Sequence, residues 1–106
     1  MLNAWSAAKS EGNMNRLLGF YAPDFQSYKK KPLSEWATVL QTESQALKGR
    51  PVHLKDKAYL RWTDSADTMV VTFGEVAAGA RTGPVKRQFW ARRGNRWQIF
   101  FEGVIG

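Results

Sequence analysis

Four side chains are the candidates for chemistry in this sequence: the carboxylates Asp24, Glu75 and Glu102, and the single histidine, His53. The chain has no cysteine, which excludes disulfides, thiolate nucleophiles and cysteine metal sites. His53 has no second histidine to join it, so we predict no metal site and expect an exposed or capping histidine. No glycine-rich loop precedes a predicted helix, and we expect no cofactor.

Glu102 belongs to a predicted β-hairpin that turns at Gly94-Asn95. Glycine accepts a positive φ at no steric cost, so this pair suits a two-residue turn. Counting outward from the turn places Arg87 directly opposite Glu102. A neighbouring guanidinium favours the ionised carboxylate and makes it a weaker base. The pairing predicts a structural or ligand-orienting ion pair, with catalysis by Glu102 as the alternative. Asp24 follows a proline and is read as a turn or capping residue.

Two short helices and one long helix are predicted in the first half of the chain. Residues 2–21 have helical apolar spacing, which Gly12-Asn13 interrupts because glycine ends a helix and asparagine caps the next one. Residues 24–28 then form an extended segment. The third helix starts near Pro32, presents one apolar stripe and stops at Gly49.

From Val52 onward the apolar period changes to that of a strand. Residues 52–62 alternate, residues 68–76 are a β-branched run, and the closing hairpin adds two strands. Helices followed by strands that short antiparallel connections join imply an α+β fold. We therefore predict one domain, residues 1–106, with three N-terminal helices packed on a four-stranded antiparallel sheet.

Both faces of the hairpin carry large apolar side chains, so we expect both to be covered. One face, with the helices, is predicted to line a ligand pocket. Three short helices cover only one face of a sheet, so the other is predicted to join two copies of the chain in a homodimer. The pocket residues are Tyr21, Trp36, Tyr59, Phe73, Glu75, Arg87, Phe89, Phe100 and Glu102. The dimer residues are Trp62, Trp90, Trp97, Ile99 and Phe101.

The net charge of +7 over 106 residues favours anionic partners where the charge is clustered. One cluster is Lys29, Lys30 and Lys31, and another is the three arginines around the hairpin turn, Arg92, Arg93 and Arg96. A solvated loop and hairpin tip is the plainer interpretation, and an anionic polymer is the alternative. Nucleic acid is disfavoured because no recognisable motif accompanies the charge. We expect no membrane span and no secretory signal in residues 1–11.

Several short motifs taken together resemble a known family. The order resembles the nuclear transport factor 2-like (NTF2-like or SnoaL-like) fold, and most closely the accessory domain appended to bacterial L,D-transpeptidases and other envelope proteins. This resemblance implies a curved sheet wrapped around the helices as a cone-shaped roll. Glu75 departs from the pattern, where a neutral glutamine is expected. The motifs are Trp5 with Tyr21-Ala22-Pro23-Asp24-Phe25, Ser34 with Trp36, Val71 with Phe73, Arg87 with Phe89, and Gly94, Trp97-Gln98-Ile99 and Glu102.

The resemblance implies function only in outline, because this fold hosts isomerases, dehydratases and hydrolases as well as domains that only bind or dimerise. We expect a non-catalytic accessory domain of a bacterial cell-envelope protein that binds a small polar or peptide-like ligand and dimerises. Its expected location is the periplasm or envelope, with the cytoplasm as the alternative. The rival function is a small enzyme acting on a hydrophobic substrate with Glu102 or Glu75 as base. An enzyme needs a cavity with an unpaired carboxylate, whereas an accessory domain can have a filled cone.

Overall fold

In a computed structural model the described residues form three helices and five strands. The structure describes residues 1–47, 49–61 and 67–105. The elements follow each other as α1 (Leu2–Glu11), α2 (Met14–Gly19), β1 (Tyr21–Ser27), α3 (Leu33–Leu47), β2 (Val52–Arg61), β3 (Thr68–Ala77), β4 (Val85–Arg93) and β5 (Arg96–Val104).

The predicted break between the first two helices is confirmed. Gly12 has φ 76 in the left-handed region, and its amide donates to the carbonyls of Ala8 and Lys9 at the end of α1. The side chain of Asn13 accepts a hydrogen bond from the amide of Arg16 at 3.2 Å, which caps α2. The α+β class is also confirmed, since the helices accompany a sheet in which β2, β3, β4 and β5 form an antiparallel meander. No described helix is long and apolar enough to cross a bilayer.

The sheet has five strands rather than the predicted four, in the order β1-β5-β4-β3-β2. The segment expected only to be extended belongs to β1, which pairs in parallel with β5 at the edge of the sheet. Its register shifts between Tyr21 and Gln26. The prediction was wrong because a parallel partner at the far end of the chain leaves no local pattern, and Pro23 is tolerated on an edge strand.

The turn of the closing hairpin is confirmed. Gly94 has φ 66 and links β4 to β5. Next to the turn, Arg92 lies opposite Trp97 and Trp90 lies opposite Ile99, as counting predicts.

Further from the turn, a β-bulge at Phe100 changes the register. Phe100 has no partner in the β4–β5 ladder, so Glu102 lies opposite Gln88 rather than Arg87. The predicted pairing of Arg87 with Glu102 is therefore wrong. Because side chains alternate between the faces of a strand, one extra residue moves the rest of β5 to the other face. Glu102 consequently shares a face with Ile99.

The helices cover the face of the sheet that carries Trp90 and Ile99, and both residues are completely buried there. Trp97 packs against the same core. These three were predicted to join two copies of the chain, and that assignment is wrong because the alternation of β4 turns Trp90 inward. Trp62, predicted for the same surface, lies outside the described residues. The core consists of Leu2, Trp5, Ala8, Leu17, Tyr21, Phe25, Trp36, Leu40, Leu54, Val71, Phe73, Trp90 and Ile99.

The opposite face carries an outer row of four apolar residues, which are neighbours in register on adjacent strands: Leu60, Val70, Phe89 and Phe101. Leu60 is 66% exposed.

Four residues predicted for the pocket lie elsewhere. Arg87 is exposed and donates to Thr72 at 3.4 Å. Phe89 belongs to the outer row and contacts Phe100, with ring centroids 5.8 Å apart. These three assignments are wrong because both hairpin faces are apolar, so composition could not decide which faces the helices. The assignment of Tyr59 to the pocket is also wrong, because Tyr59 follows a bulge in β2 and is 54% exposed.

Candidate functional site

A buried carboxylate stands at the centre of the cone. Glu102 on β5 is completely buried and accepts hydrogen bonds from three side chains. The hydroxyl of Tyr21 donates to both carboxylate oxygens at 2.9 and 3.0 Å. The indole Nε1 of Trp36 donates to Oε2 at 2.8 Å, and the amide Nε2 of Gln88 donates to Oε1 at 2.6 Å. We call these four residues the Glu102 cluster.

Two further tryptophans fix the direction of these hydrogen bonds. The Nε1 of Trp90 donates to Oε1 of Gln88 at 3.0 Å, so the amide nitrogen of Gln88 is turned toward Glu102. The Nε1 of Trp5 donates to the Tyr21 hydroxyl at 3.1 Å, which leaves the hydroxyl proton for the carboxylate. Every partner is a donor, and a carboxylate is the side chain that only accepts.

The environment keeps the Tyr21 hydroxyl protonated. Burial raises the pKa of Tyr21 well above its ordinary value, and the negative charge of Glu102 raises it further. The hydrogen bond from Trp5 acts in the opposite direction. Tyr21 is therefore a permanent donor to Glu102 rather than a proton carrier near neutral pH.

Beside this cluster, two lysines and two glutamates form a charge square of Lys9, Glu43, Glu75 and Lys86. The ammonium group of Lys9 lies 2.8 Å from Glu43 and 2.9 Å from Glu75. The ammonium group of Lys86 lies 2.8 Å from each of the same two carboxylates. The four residues come from α1, α3, β3 and β4. The square thus ties two helices to the sheet.

Opposite charges within the square favour the ionised forms of Glu43, Glu75 and Lys86. Burial alone would raise the pKa of Glu75, but the ammonium groups of Lys86 and Lys9 outweigh it and hold the pKa below its ordinary value. The same balance lowers the pKa of Glu43. Burial would lower the pKa of Lys86, whereas the carboxylates of Glu75, Glu102 and Glu43 raise it. Lys86 is therefore also a counter-charge for the Glu102 cluster.

Three members of the charge square, Lys9, Glu43 and Glu75, line a cavity of about 230 Å³ between α3 and the β3–β4 connection, which we call the mouth cavity. Glu43 is its most accessible charged group, since 33% of this side chain is exposed compared with 7% for Glu75. Both lysine ion pairs of Glu43 use Oε1. The cavity is lined by Lys9, Glu43, Ala46, Leu47, Val52, Glu75, Ala77, Ala80, Thr82, Gly83 and Pro84.

The structure brings together five of the predicted pocket residues, Tyr21, Trp36, Phe73, Glu75 and Glu102, but in a filled interior. Each is at most 8% exposed. In the described part of the chain, every side-chain nitrogen and oxygen that is fully enclosed has a hydrogen-bond partner. Of the five, only Glu75 lines the mouth cavity.

Sequence reasoning missed Lys9, Glu43, Lys86 and Gln88. Lys86 and Gln88 have the same parity as Trp90 on β4, so their burial follows once the inward face is known. The one visible signal was the charge of Glu75 on an apolar strand, which requires a buried cation.

The remaining candidates are surface residues. His53 is exposed on β2, as expected. Within the described ranges no three His, Cys, Asp or Glu side chains converge as metal ligands. Asp24 is exposed and paired with Arg93 at 2.8 Å. The hydrogen bond from Arg93 lowers the pKa of Asp24.

The arginines around the hairpin turn are engaged within the chain. Arg92 pairs with Asp67 at 2.6 Å and lies over the ring of Trp97. Arg96 donates to the carbonyl of Gly19 at 3.0 Å. These contacts reduce the charge that the hairpin tip offers to an anionic polymer.

Residues 1–103 match the family model of the Cds6 C-terminal NTF2-like domain. The chain belongs to this family. Comparison with curated protein sequences gives no match.

Solved structures share the NTF2-like fold at low sequence identity. Bd1075 of Bdellovibrio bacteriovorus superposes with a TM-score of 0.76 at 15% identity, over 97% of this chain and 37% of that protein. The helical cell shape determining protein Pgp2 of Campylobacter jejuni gives 0.72 at 15%, over 95% and 37%. A putative dehydratase of the NTF2-like family from Streptomyces avermitilis gives 0.72 at 14%, over 95% and 87%. The NTF2-like chain thus spans little more than a third of the first two proteins.

Glu102→Gln is expected to destabilise the domain by about 2–4 kcal/mol, because an amide replaces one acceptor oxygen with a donor facing donors. Urea denaturation measures this free energy of unfolding. The control Glu35→Gln changes an exposed glutamate in the first turn of α3 and should stay within about 0.5 kcal/mol of the parent. An unchanged stability for Glu102→Gln would contradict the structural role of the Glu102 cluster.

Lys86→Met is expected to cost about 3–5 kcal/mol, because it leaves buried carboxylates without one of their cations. Adding Glu75→Gln should recover part of that loss, since Lys9 and Glu43 then remain as a balanced pair. A double-mutant cycle in urea should give a coupling energy of about 1–3 kcal/mol. Strict additivity of the two changes would show that the charge square is not an interacting unit.

Proposed function

We propose that this chain is a non-catalytic accessory domain that binds a small polar or peptide-like ligand and dimerises within a bacterial cell-envelope protein. The observation that carries the proposal is the state of Glu102. All its partners are side chains of the same domain, and it is completely buried. A general base must instead be within hydrogen-bond reach of a substrate proton.

Glu75 is no better suited to act as a base. Its carboxylate is paired with Lys9 and Lys86, and its pKa lies below the ordinary value. An efficient general base has a pKa near the operating pH. The neighbour that is a putative dehydratase supports the fold alone, so the enzymatic alternative gains nothing specific from it.

The mouth cavity is the proposed ligand site. At about 230 Å³ it is smaller than the roughly 300–1,000 Å³ of drug-sized ligand pockets. It therefore suits a small ligand or one end of a larger one. Glu43 uses Oε1 for both lysines, which leaves Oε2 as the acceptor for an N–H group of the ligand. The apolar side chains of Leu47 and Val52 would contact the carbon skeleton.

The envelope setting rests on two supports. The motif order resembles the accessory domain of L,D-transpeptidases and other envelope proteins, and one structural neighbour is a helical cell shape determining protein. In two of the solved neighbours the matching region is 37% of the chain, as expected for a module joined to other domains. We infer that this module works beside a catalytic domain that acts on the cell wall.

The ligand proposal is tested by titrating the ¹⁵N-labelled protein with soluble peptidoglycan fragments, the disaccharide peptides of the bacterial wall. We expect amide shifts at Ala46, Leu47 and Thr82, since these residues line the mouth cavity. Ala46→Trp should abolish the shifts because Ala46 is an exposed residue at the edge of the cavity. Ala7→Trp is the matched control and should bind normally, because Ala7 belongs to α1 and does not line the mouth cavity. No shifts at millimolar fragment would refute the proposal.

Dimerisation is proposed through the outer row, with different residues from those predicted. The row crosses four adjacent strands. Leu60 at its end is 66% exposed and Phe101 is partly exposed, whereas Val70 is buried. Large apolar side chains that remain at the surface can mark an interface, and identical copies commonly pair about a two-fold axis. Of the residues predicted for this contact, Phe101 belongs to the outer row.

Sedimentation at high micromolar concentration is expected to show a dimer that Leu60→Asp converts to monomer, because the change buries a carboxylate in an apolar contact. Tyr59→Asp is the control. Tyr59 is exposed on the same strand but alternates to the other face, so this variant should remain a dimer. A monomeric parent protein would rule out this part of the proposal. Binding of an anionic polymer through Lys29, Lys30 and Lys31 stays a prediction.

A further inference from the structure

A second cavity lies between α1 and the edge strand β2, and it adjoins the mouth cavity at Val52, which lines both. Its volume is about 500 Å³, more than twice that of the mouth cavity. We call it the edge groove. It is lined by Asn3, Ser6, Ala7, Ser10, Glu11, Gly49, Pro51, Val52, His53, Leu54 and Lys57. Of the residues discussed above, Val52 also lines the mouth cavity and His53 is the exposed histidine of β2.

Two serine hydroxyls in the edge groove lack partners. Ser6 and Ser10 lie one helical turn apart on α1 and are only 6% and 9% exposed. In the described chain neither hydroxyl takes part in a hydrogen bond, yet no fully enclosed side-chain oxygen is left unsatisfied. Both hydroxyl oxygens are therefore accessible to solvent, and both residues line the edge groove. Polar groups this deeply placed are normally hydrogen-bonded, so they call for a partner.

The backbone of β2 offers a second set of unused groups. β2 is the last strand of the sheet and has β3 as its only neighbour among the described strands. The amide of Ala78 donates to the carbonyl of Pro51, which sets the phase of this antiparallel ladder. Along an antiparallel ladder, hydrogen-bonded pairs alternate with non-hydrogen-bonded pairs. Pro51 belongs to a bonded pair, so Val52 and Leu54 belong to non-bonded pairs and direct their N–H and C=O groups away from β3.

An independent contact confirms this phase. Glu75 lies opposite Leu54, and its amide donates to the carbonyl of Pro84 on the far side of β3. Residues opposite each other in a non-bonded pair point their backbone groups outward on both strands. Since the backbone amide of Glu75 points away from β2, the backbone N–H and C=O groups of Leu54 point toward the free edge of β2. Val52 and Leu54 both line the edge groove.

We propose that the edge groove binds a short extended peptide, which adds a strand to the free edge of β2 while the hydroxyls of Ser6 and Ser10 contact it from α1. Backbone groups at every second residue of an edge strand are the pattern that an added strand satisfies. The β2 bulge after Lys55, where Asp56 has φ 54, ends the regular edge. The contact is therefore limited to about four peptide residues.

Charges at the two ends of the groove give the peptide a direction. Glu11 lies at the end near Gly49, since both also line a smaller neighbouring cavity. Lys57 is exposed beyond Leu54, toward the other end. The complementary peptide has a basic group at the Glu11 end and a carboxylate at the Lys57 end. A saccharide would leave the paired backbone groups of β2 without matching partners, so the proposed ligand is a polypeptide segment.

The test selects peptides from a displayed library of linear random heptapeptides against the whole chain and measures the affinity of a selected peptide by fluorescence polarisation. We expect selected peptides that combine a basic and an acidic residue. Bound peptide should slow hydrogen exchange at the amides of Val52 and Leu54. Methylation of the central peptide nitrogens should weaken binding at least tenfold.

Variants locate the site. Ala7→Trp fills the edge groove and should weaken binding at least tenfold, whereas Ala46→Trp fills the mouth cavity and should leave it unchanged. Should Ala7→Trp disturb the fold, Ser6→Ala with Ser10→Ala removes both hydroxyls with little change of volume and should weaken binding several-fold. The inference is overturned if no peptide is selected, if Val52 and Leu54 are not protected, or if Ala46→Trp blocks binding instead. Ala7→Trp and Ala46→Trp are tested against both ligands, so a failure of peptide binding at the edge groove can be told apart from a failure of ligand binding at the mouth cavity.

Discussion

The placement of five ionisable side chains in the interior constrains much of this small domain. Lys9, Lys86 and Glu75 are buried with Glu102, and Glu43 closes the charge square from α3. Removing such charges from water costs several kcal/mol per ion unless opposite charges and hydrogen bonds compensate. Compensation requires α1, α3, β3 and β4 to bring their members within about 3 Å of each other. The relative position of helices and sheet is thus tied to electrostatics as well as to apolar packing.

That constraint separates the interior of the cone from its surface. Inside, Glu102 and its partners satisfy one another and leave no acceptor for a substrate. Unused hydrogen-bonding capacity occurs at the openings instead, at Glu43 in the mouth cavity and at Ser6 and Ser10 in the edge groove. These openings are where we propose that ligands bind, and the buried polar network holds the surrounding helices and strands in place.

Local sequence signals predicted the local structure well. Gly12 and Asn13 separated two helices, Gly94 set the hairpin turn, and the change of apolar period at Val52 marked the start of the antiparallel meander. Each depends on a backbone preference or periodicity carried by neighbouring residues. The charge of Glu75 within an apolar strand was visible in the sequence for the same reason.

The arrangement of the site depended on features without a local signal. The bulge at Phe100 reversed the faces of β5, and a single inserted residue in an apolar strand has no distinctive composition. The parallel pairing of β1 joins opposite ends of the chain. As a result, Glu102 was assigned the wrong partner, and Lys9 and Lys86 were missed, because lysines are rarely buried.

The most direct test of the central claim, that the carboxylates of the cone are internal counter-ions and not bases, is the titration of the Glu75 carboxyl carbon by ¹³C NMR. Its pKa is lowered in the folded domain, so Glu75 stabilises the fold above the unfolded value of about 4.3 and that contribution is lost as the pH falls through the folded value. The account predicts a carboxylate that is ionised at neutral pH and whose midpoint lies below the ordinary glutamate value of about 4.3. A midpoint between about pH 6 and 7, the range of a general base, would contradict it.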